Sequence, residues 1–186
     1  MEDTAIVELF FLRSESAIKE SAEKYGAYCM TVSSNILHNK EDAEECVNDT
    51  WIKAWNAIPP EKPRVLKCYF AKITRNLSIN RYHQNHTAKR GGGETDLVLE
   101  ELEEVTAGSQ NVEDMVTARE LRTLIDAFVR ALPEREGNVF IRRYFYTEAV
   151  ETIARRYGLS ANNISVMLNR TRKKLKTHLL EAGYVV

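Results

Sequence analysis

Cysteine, proline and glycine are all scarce in this chain of 186 residues, which has three, four and eight of them respectively. Cys29, Cys46 and Cys68 lie far apart, with no C-x-x-C and no nearby histidine pattern, so neither a disulfide framework nor a zinc site is expected. They read as buried, apolar-like thiols. His83 and His86 have metal-like spacing but sit in a basic, amide-rich stretch without further ligands, and read as solvated or phosphate-facing. No window approaches the roughly 20 apolar residues of a bilayer span. The first ten residues, MEDTAIVELF, are acidic where a secretory signal would be basic, so a cytoplasmic chain with no membrane insertion is expected. There is no glycine loop before a helix to cradle phosphate, no triad spacing and no metal cluster. Gly91, Gly92 and Gly93 follow a helical pattern and lead into acid, a poor phosphate site. The expectation is a chain that is not an enzyme and carries no cofactor.

Alternation of apolar and polar residues is also missing. Apolar residues recur instead at three, four and seven positions, so the fold class expected is all-α. Three of the four prolines, Pro59, Pro60 and Pro63, crowd one place and must break a helix there, since each lacks an N–H and disfavours helical geometry before it. Ahead of the break, Ser14 or Ser16 can cap a short helix through Glu23, and Tyr25, Cys29, Val32 and Ile36 line the next. Asn39 resembles the cap of a third helix, with Asp42 accepting from the cap's own amide. That helix turns Ala43, Val47, Trp51, Ala54 or Trp55, and Ile58 inward. After the break Leu66, Phe70, Ile73 and Leu77 bury one side of a fourth helix.

Residues 1–90 therefore form one small domain, 91–111 mainly an acidic linker with a short element at Leu97-Val98-Leu99 and Leu102, and 112–186 a second small domain. In the second, Met115, Leu121, Leu124 or Ile125, Phe128 and Leu132 make a stripe closed by Pro133, and Val139, Phe140 and Tyr144 carry the next. Helices over 150–157 and 161–180 complete it.

The net charge of −1 hides a division along the chain. Residues 1–58 carry 5 Lys+Arg against 11 Asp+Glu, 59–90 carry 8 against 1, 91–120 carry 1 against 9, and 121–186 carry 12 against 6. Two basic blocks between acidic ones suggest two polyanion-facing surfaces and an acidic one for another partner.

The strongest local signal is AVETIARRYGLSANNISVMLNRTRKKLK from Ala149, a helix-turn-helix pattern. Ala154 is small where two helices cross, Gly158 can take the positive φ of the turn, Leu159 plugs the core and Ser160 caps the second helix. On that helix Ile164, Leu168, Thr171 and Leu175 face in. Ala161, Asn162, Asn163, Ser165 and Asn169 face out, followed by the cations Arg170, Arg172, Lys173, Lys174 and Lys176. Asparagine can pair bidentately with adenine, and the cations suit phosphates.

The first domain's basic helix differs, mixing Asn76, Asn80, Arg81 and Gln84 beside Tyr69 and Tyr82, a set suited to partly unpaired DNA with stacked bases. The tyrosines read equally well as core aromatics. The acidic face of the third helix, with Glu41, Glu44, Glu45, Asn48 and Asp49, reads either as a dock for a basic protein surface or as a solvated face.

These residues resemble the extracytoplasmic-function group of the sigma-70 superfamily. KYGAYCMTVSSNILHNKEDAEECVNDTWIKAWNAI and YFAKITRNLSINRYHQN are similar to sigma region 2, and ALPEREGNVFIRRY with IARRYGLSANNISVMLNRTRKKLK to region 4. The resemblance implies a bacterial initiation factor that binds core RNA polymerase and directs promoter-specific transcription. It implies that Asp42, Glu45, Asn48, Asp49 and Trp51 bind the β′ clamp helices. Lys62, Arg64, Asn76, Asn80, Arg81 and Gln84 would capture and melt the minus-ten element. Ala161, Asn162, Asn163, Ser165, Asn169, Arg170, Lys173 and Lys174 would read the minus-thirty-five element, while the same domain meets the β flap. The linker would thread toward the RNA exit path. Anti-sigma partners are common in that family, and neither a region 1 segment nor a region 3 domain fits this length. Val166-Met167 stands where many relatives have Ser-Arg or Val-Arg, Thr152 where an acid is frequent, and Asn80 where an aspartate is common.

Overall fold

The computed structural model describes residues 1–86, 94–106 and 115–183, apart from the side chains of 86, 103, 104, 106 and 115–119. Every regular element among them is a helix, and the chain divides into two compact units after Gly91. The first unit holds α1 (Asp3–Phe11), α2 (Ser16–Leu37), α3 (Lys40–Ala57) and α4 (Leu66–His86).

Helices α2, α3 and α4 pack on one another, with α1 laid along α2. Neither Ser14 nor Ser16 caps. Glu15 holds the cap position without a side-chain bond, and α2 runs unbroken through Glu23 to Leu37, so the two helices expected there are one. The continuous stripe Ala17, Ser21, Tyr25, Cys29, Val32, Ile36 has a single buried side to protect and no proline or glycine turn to interrupt it. Asn39 does cap α3, its Oδ1 accepting from the Asp42 amide at 2.9 Å. The reciprocal half of a capping box is replaced, because the Asp42 carboxylate turns to α4 instead.

The core is aromatic at one end. Phe70 is fully buried, edge-on to Trp51 (5.2 Å between centroids) and close to Tyr25 and Phe10. Elsewhere it is a seam of hydroxyls that apolar periodicity could not show. Thr50 meets Thr74 at 2.9 Å and Ser33 meets Ser78 at 2.7 Å, all four fully buried. Thr74 and Ser78 thus displace Ile73 and Leu77, both half-buried, from the innermost line of α4. Cys29 and Cys46 join the seam through hydrogen bonds with Thr74 and Ser78, and burial pushes both thiols up. They are buried but not apolar in setting, and Cys68 is exposed.

Asp3 ties the unit's beginning to its end. Its carboxylate accepts from the Leu66 backbone N–H at the start of α4, from Lys24 Nζ at 2.7 Å and from the Tyr25 hydroxyl. Partial burial opposes its charge, but these donors outweigh it and hold the Asp3 pKa below the ordinary 3.8. A carboxylate with a depressed pKa stabilises above its unfolded pKa and loses that contribution as pH falls through the folded value. Asp3→Asn is therefore expected to lower first-unit stability by about 1 kcal/mol at neutral pH, as loss of a helix cap does. The gap from wild type, followed by tryptophan emission in urea, should close below pH 3.8.

The second unit holds α5 (Glu94–Thr106), α6 (Met115–Ala131), α7 (Glu134–Tyr144), α8 (Val150–Tyr157) and α9 (Ala161–Glu181). Its core joins Phe128 of α6, Val139, Phe140 and Tyr144 of α7, Ile153 of α8, and Ile164, Leu168, Leu175 and Leu179 of α9. The stretch expected mainly as linker contributes to this core. Val98 and Val105 of α5 are buried at 2% and 3% exposure, with Leu102 beside them, while Leu97 points out. Four- and three-residue spacing of these residues makes α5 amphipathic, and α7 and α9 cover its apolar side.

Candidate nucleic-acid and protein-docking interfaces

The α8–α9 turn is built as its residues require. Gly158 closes α8 in the left-handed region (φ 63°), and the Leu159 N–H reaches back to the Ala154 carbonyl at 3.0 Å. That six-residue bond is the Schellman pattern, which a side chain at Gly158 would strain. Leu159 is half-buried against the core, Ala154 and Ile164 are buried, and Ser160 Oγ accepts from the Asn163 amide at 3.2 Å.

Helix α9 then shows Asn162, Asn163, Ser165, Asn169, Arg170 and Lys173 exposed, with Ala161 half-exposed. Amides lead at the N-terminal end, where the helix can enter a major groove, and cations follow. Two of the expected cations are otherwise engaged. Lys174 donates to Glu136 at 2.9 Å while keeping half its side chain exposed. Arg172 is only 15% exposed and donates to Glu101 at 3.1 Å and the Tyr144 hydroxyl at 2.8 Å, so it does not face out. Met167 packs partly against the core, and Val166 beside it is exposed.

In the first unit Asn76, Asn80 and Gln84 are exposed at four-residue spacing, one stripe along α4. Lys62 and Arg64 are exposed on the loop that precedes it. That loop is held at one end by buried Ile58 and in the middle by a Tyr69–Glu61 hydrogen bond. Burial first, then Glu61, pushes the Tyr69 phenol well above 10. Tyr82 is a core residue at 5% exposure and offers no stacking face, whereas Tyr69 is half-buried.

Arg81 lies apart from that stripe in its contacts. Its guanidinium meets Glu45 at 2.7 Å and Asp42 at 3.3 Å, and Asn85 donates to Asp42 at 3.0 Å. Sequence reasoning placed Arg81 with one surface and the two acids with another; the structure joins them in a tie between α3 and α4. Glu45 first of all holds the Arg81 guanidinium above its ordinary pKa, and Arg81 lowers Glu45 in return. Asn48 is exposed and Asp49 half-buried farther along the acidic face. Trp51, expected with them, is 6% exposed, its ring against Phe70. It anchors α3 from inside, as its place in the inward stripe already required.

Two further clusters escaped the sequence. One is the Asp3 tie, the other an ion cluster between α5, α7 and α9. Arg143, 1% exposed, donates to Glu94 at 2.5 Å and to both oxygens of Glu101 at 2.9 and 3.4 Å. Tyr144 donates to Glu101 at 2.7 Å. Only the spacing of Glu94, Val98, Glu101 and Val105 on one helical face could have signalled it.

Comparison with known proteins agrees with this two-unit arrangement. Residues 22–87 match the family model for sigma-70 region 2, and residues 122–175 the model for sigma-70, region 4. Over 105 residues the chain is 30% identical to the RNA polymerase sigma factor SigF of Mycobacterium tuberculosis, in strains CDC 1551 / Oshkosh and ATCC 25618 / H37Rv. The match takes in 55% of this chain but 38% of those relatives' own length. Among the described residues, no helix is long and apolar enough to cross a membrane.

Proposed function

Because the chain belongs to the sigma-70 family, in its extracytoplasmic-function group, we propose that it binds core RNA polymerase and directs transcription from particular promoters. It does so by binding in the cytoplasm rather than by catalysis. The observation that carries this reading is the pairing within one unit of an acidic helix with an amide-and-cation helix, alongside a helix-turn-helix in the other. An acidic face suits the basic β′ clamp helices, and Glu44, Glu45, Asn48 and Asp49 of α3 provide one. Asn76, Asn80 and Gln84, with Lys62 and Arg64 on the loop, suit unpaired bases and phosphates of a melted minus-ten element. The exposed N-terminal half of α9 suits a minus-thirty-five duplex, and the same unit would meet the β flap. An anti-sigma partner would act by covering these surfaces.

Run-off transcription with purified core enzyme and a promoter library tests the whole reading. Redirected start sites are expected; a chain that neither binds core nor changes them refutes it.

Within the second unit, base and phosphate contacts separate by experiment. Lys173, exposed and without an ion pair among the described residues, is the cleaner phosphate probe, since Lys174 shares its charge with Glu136. Lys173→Ala is expected to weaken all promoters alike and to reduce the salt slope by about one unit. Asn162→Ala should instead change sequence preference, at about 1 to 3 kcal/mol for a base contact. Competition binding across a randomised site at several salt concentrations reads both effects.

A further inference from the structure

We propose that Val166 is a specificity-determining residue of the second unit, packing on the 5-methyl group of a thymine in the major groove. The assignment rests on the reading of α9 as a duplex-binding helix and deepens it to one base. Among the described residues from Ala161 to Arg170, Val166 is the one large apolar side chain that is exposed. At about 3.6 residues per turn it stands opposite Leu175, with Ile164 and Leu168 on either side of that buried line. Val166 is therefore the centre of the outward face. Asn162 and Asn163 lie one turn before it and Asn169 and Arg170 one turn after, all of them exposed. Met167, next to it, turns partly into the core instead.

A lone apolar side chain on a protein surface is ordinary. This one is ringed by amides and cations, on the part of the helix-turn-helix that leads into the groove. There it adds nothing to the core, and valine is a weaker helix former than the straight-chain polar residues. The cations Arg170 and Lys173 on the same face fit a polyanion rather than an apolar protein surface. Base pairs in a major groove offer hydrogen-bond donors and acceptors at every step but a single kind of apolar group, the thymine methyl. Amide and aliphatic side chains in adjacent turns thus read both halves of A·T pairs, asparagine taking N6 and N7 of adenine and valine the methyl of thymine. From Asn162 to Val166 the helix rises about 6 Å. That is about two base pairs at about 3.4 Å each, so the thymine lies about that far from the base met by Asn162.

The test uses core polymerase loaded with the whole chain and a promoter chosen by run-off transcription. Each thymine of the upstream element is replaced in turn by deoxyuridine, which keeps every hydrogen-bonding group and removes only the methyl. Competition binding reads the affinity. Wild type is expected to lose about fourfold at one or two positions, the effect of one methyl group left without its buried contact. V166A is expected to bind the natural duplex more weakly by a similar factor and to change less than about twofold with deoxyuridine there. Cytosine at the same position should weaken wild type, and 5-methylcytosine should recover part of that loss in wild type alone. Because Val166 is exposed, V166A should melt as wild type by far-UV circular dichroism, so its weaker binding is not unfolding. Deoxyuridine without effect at every position, or an equal loss in both chains, overturns the assignment. So does a V166A chain altered in core binding with its methyl sensitivity intact, which would put a protein partner on Val166. Where run-off chooses no promoter, the same series is made on the duplex that the chain alone selects from a randomised pool, and a chain that selects none overturns the assignment. Initiation at chosen promoters without methyl sensitivity keeps the initiation reading and loses this one. Methyl sensitivity through Val166 in a chain that never binds core does the reverse.

Discussion

Glu101→Ala is expected to lower the stability of the second unit by about 3 kcal/mol, because it leaves Arg143 buried with half of its ion pairing removed. Glu101 accepts from Arg143, Arg172 and Tyr144, three donors on two helices. Arg143 is only 1% exposed, and among the described residues Glu94 remains as its carboxylate partner. For a unit of this size the loss corresponds to on the order of 15 °C in Tm. Two units need not melt together, so the readout must separate them. Trp51 and Trp55, the chain's two tryptophans, both lie in the first unit. Tryptophan emission should therefore melt as in wild type, while a second transition in far-UV circular dichroism moves down. A shift of less than a third of that size would mean that α5 contributes little to the unit.

The same cluster gives a pH dependence with a definite sign. Burial works against the charge on Glu101, yet Arg143 and Tyr144, with Arg172 behind them, hold its pKa below the ordinary 4.5. Its contribution is fully present above pH 4.5 and is lost as pH falls through the lower folded value. The difference between wild type and Glu101→Ala should shrink over that acid range and be flat above it.

Asp49→Lys is expected to weaken binding to core polymerase at least a hundredfold, roughly 3 kcal/mol, by placing like charge against a basic partner. Asp49 is the informative position on α3. Asp42 and Glu45 are tied to Arg81, so their reversal would also disturb the packing of α3 on α4. Asp49 is half-buried and has no such tie among the described residues, and its substitution should leave the tryptophan-monitored melt close to wild type. Pull-down or fluorescence binding with purified core enzyme measures the effect. A free-standing helix-turn-helix regulator would be indifferent to this change and would bind its operator without polymerase. Unaltered core binding would leave the acidic face as solvated surface.

The sequence by itself determined what depends on neighbours a few positions away. The α8 and α9 boundaries, the Gly158 turn and the Ser160 and Asn39 caps follow from backbone groups that must be satisfied within a turn or two. The inward lines of α3 and α9 follow from helical periodicity. Tertiary structure decided what depends on partners far along the chain. Asp3 meets an amide 63 residues away, and Glu101 meets arginines 42 and 71 residues away. No periodicity links such pairs, and a charged residue reads as solvent-facing until a buried counter-charge is known. Arg81, Arg172, Glu94 and Glu101 all carried that ambiguity, and each resolved into an ion pair. The innermost Thr50, Thr74, Ser33 and Ser78 carried the opposite one: hydroxyls that look like surface until two helices meet and satisfy them.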